Sequence, residues 1–107
     1  MAFFIKQNDT SPSLRAILKD GDEIAINLTG ATVRFHMRNV GGATAAVDAD
    51  ASIVTAESGI VQYLWDAADT ATVGSYQAEF EVTFSGGAVE TFPNNGYIRV
   101  EITDDIT

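Results

Sequence analysis

Gly74-Ser-Tyr-Gln-Ala-Glu-Phe-Glu-Val-Thr-Phe84 is the stretch whose reading decides the fold. From Tyr76 onward the even positions, Tyr76, Ala78, Phe80, Val82 and Phe84, are apolar. The odd positions, Gln77, Glu79, Glu81 and Thr83, are polar. Such alternation specifies a strand with one face buried and the other in water, whereas a helix would scatter the same side chains around its axis.

Just upstream, Asp69 and Gly74 stand before Tyr76 in a D…G-x-Y arrangement. Immunoglobulin-like sandwiches have a similar arrangement entering strand F, where the Tyr hydroxyl bonds back to nearby backbone. Ala78 occupies the place where those domains usually carry Cys. The plainer alternative is a strand that simply begins with Tyr.

Outward from this stretch, short extended patterns recur with turn signals between them. Residues 2–6 form an apolar run, and 13–18 carry Leu14, Ala16 and Leu18 on one face. After the acidic turn Asp20-Gly-Asp-Glu23, the alternation of Ile24, Ile26 and Leu28 predicts a further strand. Residues 31–38 set Val33, Phe35 and Met37 against Arg34, His36 and Arg38. The Ala-rich 44–54 region reads as two short strands around an Asp turn, and 60–65 as a bulky strand. Ser85-Gly-Gly87 is a hairpin loop into 88–92, Pro93-Asn-Asn-Gly96 breaks or bulges that strand, and 97–102 closes the chain. The sum is an all-β, Ig-like antiparallel β-sandwich of seven to nine short strands.

The length of 107 residues fits a single domain spanning 1–107, and 46% hydrophobic residues suffice for a core. There is no cysteine, which excludes a disulfide scaffold and a thiolate zinc site. The net charge of −9 repels phosphate backbones, so no nucleic-acid partner is expected. The N-terminal apolar run is too short for a signal-peptide core, and no stretch has the length of a membrane span. The expectation is a protein made in the cytoplasm, with no membrane partner.

The inventory for catalysis is poor. His36 is the single histidine, so a Cys–His pair and a multi-His metal site are excluded. It lies on the outward face between two arginines and reads as a surface residue. Asp20, Asp22 and Glu23, and separately Asp48 and Asp50, put carboxylates in turns where calcium is chemically conceivable. Neither group reproduces an EF-hand loop, and acidic turns also serve solubility. Glu79 and Glu81 have a spacing that would suit paired glycosidase carboxylates, but a solvated sheet face explains them equally well. No catalytic residue, cofactor or metal is expected.

Two stripes of opposite charge stand out: Arg34, His36 and Arg38 against Gln77, Glu79 and Glu81. On neighbouring strands they would pair across the sheet. On separate surfaces they would suit head-to-tail assembly of identical subunits. Trp65 is expected in the core. A sugar-stacking platform would instead require Trp65, Tyr63 and Tyr97 to be exposed and clustered.

Four blocks occur in order: Ile5-Lys-Gln-Asn-Asp-Thr10 with Pro12-Ser-Leu14, Leu28-Thr-Gly-Ala-Thr-Val-Arg-Phe35, Gly74-x-Tyr-x-Ala-Glu-Phe-Glu-Val82 and Glu90-Thr-Phe-Pro-Asn-x-Gly-Tyr97. Together they resemble the N-terminal domain of the baseplate upper proteins of tailed bacteriophages and its small relatives among phage structural proteins. The resemblance implies a non-enzymatic Ig-like structural domain in the virion, docking on other virion proteins in many symmetry-related copies or as a homo-oligomer. No coiled coil or receptor-binding module follows before Thr107, which leaves the position on the particle open: baseplate, tail or capsid decoration. The alternative is a carbohydrate-binding or host-adhesion module. Candidate partner-binding residues are Phe3, Phe4 and Ile5 in the N-terminal arm, and Pro93, Asn94 and Tyr97 at the bulge. Residues 39–58 form a further candidate contact segment. The arm either adds as a strand to a neighbour's edge or closes this domain's own sheet. In the first case, deleting residues 2–6 would leave the domain folded.

Overall fold

The alternating stretch becomes the longest strand and the hub of the larger of two sheets. The computed structural model describes residues 2–106. Nine strands follow one another: β1 (Ala2–Lys6), β2 (Leu14–Ile17), β3 (Thr32–Asn39), β4 (Val47–Asp50), β5 (Ser52–Thr55), β6 (Ile60–Tyr63), β7 (Gly74–Thr83), β8 (Val89–Phe92) and β9 (Ile98–Thr103). Two short 3₁₀ turns, Ala56–Ser58 and Ala67–Thr70, link strands on the way. The large sheet runs β1-β9-β7-β3-β4, with β8 also on β7, and the small sheet runs β2-β6-β5. Placing β2, β6 and β5 opposite β9, β7, β3 and β4 reproduces the B-E-D and G-F-C-C′ faces of an immunoglobulin-like sandwich.

The inward side chains of β7, Tyr76, Ala78, Phe80 and Val82, are all buried. They meet Val33, Phe35 and Met37 of β3, register-paired as Val82, Phe80 and Ala78. The two sheets are joined by an aromatic cluster. Phe35 stacks on Tyr63 of the small sheet with ring centres 4.3 Å apart, and Trp65 meets both rings edge-on at 5.6 and 5.2 Å. Trp65 is 5% exposed, a core residue as expected, although the strand expected over 60–65 ends at Tyr63 and leaves Trp65 two residues beyond it. The Tyr76 hydroxyl donates to the Thr72 carbonyl at 2.6 Å, closing the expected corner before β7.

Three expectations are corrected. The sandwich is not wholly antiparallel: β1 lies parallel to β9, Ala2 opposite Arg99 through Lys6 opposite Thr103. The arm therefore closes this domain's own sheet. Ile5 is buried and Phe3 packs 5.9 Å from Trp65, so deleting residues 2–6 would open the core rather than trim a free segment.

Residues 24–28 form no strand beyond one bridge between Lys19 and Ala25. Asp20 accepts bonds from the N–H groups of Asp22 and Ile24, and Glu23 sits at φ 64°. That side-chain turn leaves Ile24 exposed, and Leu28 reaches the core with its N–H on the Ala56 carbonyl.

In the 44–54 region the break falls at Ala51, not at an Asp turn, because β4 and β5 belong to different sheets. Ala51 N–H stays tied to the Val33 carbonyl as the chain crosses over.

Gly59 marks the tightest backbone approach. A Cβ there would lie 2.8 Å from the carbonyl oxygens of both Leu18 and Ile26, and its φ is +65°. Gly59→Ala is expected to destabilise the domain by more than about 1–2 kcal/mol, the cost of the left-handed backbone alone. Gly86→Ala, with open space around it, is expected to be near neutral. Urea unfolding midpoints of the two variants check this, and equal midpoints would contradict it.

Candidate partner-binding face

The outer face of the large sheet carries both charged stripes, and they are neighbours. Arg34 lies opposite Glu81, His36 opposite Glu79 and Arg38 opposite Gln77 across β3 and β7. The in-sheet reading of the stripes holds. On the other side of β3, Arg34 donates to Asp48 at 2.7 Å and to Asp50 at 2.9 Å, both on β4. The His36 ring lies between two carboxylates, Nε2 3.2 Å from Asp48 and Nδ1 3.4 Å from Glu79. Sequence reasoning placed His36 between arginines along its own strand, but its cross-strand neighbours decide its surroundings. Glu79 and Glu81 are thus each set opposite a basic side chain. Asp20 is spent on its own turn, and Asp48 and Asp50 on Arg34.

The bulge is a consequence of strand registry on β7. β9 covers Gly74–Ala78 of β7 and β8 covers Phe80–Thr83, on the same side. Phe92 sits opposite Phe80 and Ile98 opposite Ala78, so residues 93–97 are extruded where only Glu79 intervenes. Asn94 ties the loop back, its Nδ2 donating to the Thr91 carbonyl at 2.9 Å and to Glu90 at 3.1 Å. Pro93 follows a cis peptide bond.

Tyr97 comes out of this loop onto the sheet's outer face, 49% exposed. Arg38 lies 5.2 Å from its ring centre and donates to its hydroxyl at 3.1 Å, while Arg38 Nε donates to Gln77 at 3.2 Å. A cavity of about 330 Å³ opens beside it, lined by His36, Arg38, Asp48, Gln77, Glu79 and residues 43 and 45 among others. A second hollow on its far side is lined by Val40, Ser75, Gln77, Arg99 and Glu101. The ring therefore stands between two depressions, fixed by a guanidinium that is itself held by the sheet. Such a preordered aromatic loses little rotamer entropy when covered by a partner.

The other candidates separate. Phe4 faces outward on β1, 63% exposed, while Phe3 and Ile5 point inward and anchor the strand. Tyr63 and Trp65, at 4% and 5% exposure, are core residues, so the three aromatics of a stacking platform are not brought together. Burial, and then the Asp69 carboxylate that accepts its hydroxyl, push the Tyr63 phenol well above its ordinary value. The role of Arg38 in holding Tyr97 was not visible in sequence, because the two are 59 positions apart.

Hydrogen bonds from Arg34 hold the Asp48 carboxyl below its ordinary value, and those from Arg99 and Ser75 do the same for Glu101. A lowered carboxyl stabilises the fold above its unfolded-state value and loses that contribution as pH falls through its folded value. The advantage of wild type over Arg34→Gln is therefore expected to be present at neutral pH and to shrink below about pH 4. Urea midpoints at pH 7 and pH 3 measure it, and a difference that grows on acidification would contradict it.

Among curated proteins, none matches the chain. A family model described as the BppU N-terminal domain matches residues 3–105, from within β1 to beyond the end of β9. It spans the sandwich, the bulge and the Tyr97 face alike, and the chain belongs to this family, the N-terminal domain of phage baseplate upper proteins.

Proposed function

We infer that this chain is a non-enzymatic adaptor domain of a tailed-phage baseplate, which docks on other virion proteins in symmetry-related copies. Family membership makes it a baseplate-associated structural protein. The observation that carries the docking role is Tyr97, an exposed aromatic clamped by Arg38 on an otherwise charged sheet face. Tyr and Arg are the side chains that most often carry protein–protein affinity, and a polar rim around an aromatic anchor is the usual anatomy of such a contact. Pro93 and Asn94 shape the loop that delivers Tyr97, Phe4 adds a second exposed apolar contact, and Phe3 and Ile5 hold its strand in place. The net charge of −9 speaks for protein partners and against nucleic acid.

With Tyr63 and Trp65 in the core, the carbohydrate-binding reading retains Tyr97 alone. Glu79 and Glu81 each lie opposite a basic side chain of β3, which likewise favours a structural sheet face over paired catalytic carboxylates.

Tyr97→Ala is expected to fold normally, since the ring is half exposed, and to reduce incorporation into phage particles. The expected weakening is about 30-fold or more in affinity for the particle, the scale of a hot-spot truncation. Domain content per purified particle, with circular dichroism of the free variant, measures this. Wild-type incorporation of a folded Tyr97→Ala domain would contradict the docking face.

A further inference from the structure

Among the described residues, β1 is the sheet edge left without protection. β2 is four residues long and carries Arg15. β4 presents Asp48 and Asp50, β5 is broken by a register shift between Ile53 and Thr55, and β8 runs into Pro93. Short strands, charges, bulges and prolines are the devices that keep edges from pairing with other chains. β1 instead runs five residues in unbroken register along β9, is uncharged from Ala2 to Ile5, and exposes 63% of Phe4.

Much of the backbone on the open side of β1 is still unused. Gln7 N–H donates to the Thr103 carbonyl at 2.7 Å, which fixes the phase of the β1–β9 ladder. Successive residues of a strand direct their backbone groups to opposite edges, so Phe3 and Ile5 face β9. Ala2, Phe4 and Lys6 direct theirs to the open side, where the Lys6 carbonyl already accepts the Asp9 N–H at 3.1 Å and, among the described residues, the other groups are free.

We propose that a second copy of this chain pairs at that edge, β1 against β1, antiparallel about a two-fold axis at Phe4. In that register the two Phe4 residues exchange N–H···O=C bonds, and the Lys6 N–H of each copy donates to the Ala2 carbonyl of the other, the Lys6 carbonyl staying with Asp9. The Phe4 rings meet across the axis on the outer face, where cross-strand aromatic pairs are favourable. Lys6 lies over Ala2, so no like charges oppose one another. The occupant is a second copy because the strand is self-complementary: the one register that pairs the exposed ring with itself also separates the lysines. An isologous contact of this kind closes at two copies. It occupies Phe4 but leaves Tyr97 free, so measured on the purified protein its outcome is independent of what the Tyr97 face binds.

The chain has no cysteine, so single cysteines report the register. Across a hydrogen-bonded pair the Cα atoms lie about 5.5 Å apart, within the span of a disulfide. Oxidised Phe4→Cys protein is expected to form a covalent dimer. Ala2→Cys alone is expected not to, its two copies being about 13 Å apart along the strands. A mixture of Ala2→Cys and Lys6→Cys is expected to cross-link as a heterodimer.

Without cysteines, sedimentation of the wild-type protein is expected to show a concentration-dependent dimer. Phe4→Pro removes an N–H from the open edge while leaving the β9 bonds in place, and should weaken that dimer by on the order of tenfold or more. Phe4→Lys serves as the second variant should Phe4→Pro not fold. A wild-type protein that stays monomeric at its highest soluble concentration would overturn the proposal. So would cross-linking of Ala2→Cys as efficient as that of Phe4→Cys, or a folded edge variant that dimerises like wild type.

Discussion

The stacking of Phe35 on Tyr63 is the contact through which the two sheets become one protein. Phe35 sits at the middle of β3, fully buried, with Phe80 on its own sheet, Tyr63 on the other and Trp65 just beyond the end of β6. A sheet with one apolar face must cover it, and large rings from both sides fill much of the space between the six-stranded sheet and the three-stranded one. Tyr63 also leads out of the core: its hydroxyl bonds Asp69, which accepts the Asp66 N–H and so sets the turn that feeds the Tyr76 corner. Buried Thr70 in that turn bonds the Asp9 carbonyl, tying in the loop that follows β1. The aromatic bridge, the corner and the N-terminal strand thus form one connected arrangement. This is why β1 behaves as part of the core rather than as a detachable arm.

On that frame the functional features follow from registry on β7. The strand is ten residues long and its neighbour on one side is two shorter strands, so the connection between them must leave the sheet. It leaves opposite Glu79 and returns with Tyr97 lying over the charged face. The charged face itself contributes little to stability, since exposed ion pairs gain little in water and are screened by salt. Its effect is on position: Asp48, Asp50, Glu79 and Gln77 hold Arg34, His36 and Arg38 in place, and Arg38 holds Tyr97.

Much of this was legible in the sequence because it is local or periodic. The β7 alternation gave four buried and four outward side chains, and the charge stripes gave the β3–β7 pairing, since opposite charges on alternating strands suit adjacent positions. The family blocks pointed to the family that the chain belongs to. What the sequence hid was non-local. The direction of β1 depends on β9, nearly a hundred positions away. The 24–28 alternation was real, but Asp20 and the positive φ of Glu23 turned the chain away from a partner strand, so a strand pattern existed without a ladder. At the site, Tyr97 was identified from the bulge. Its clamp, Arg38, was visible only once the sheet brought the two together.

Docking through Tyr97 requires that the virion cover the β3–β7 face. Hydroxyl-radical footprinting of the domain, free and within intact particles, tests it most directly. Tyr97 should be strongly protected in the particle, while Leu64 and Ile24, each 61% exposed in the free domain, keep their reactivity. Undiminished oxidation of Tyr97 in assembled particles, with protection elsewhere, would contradict it.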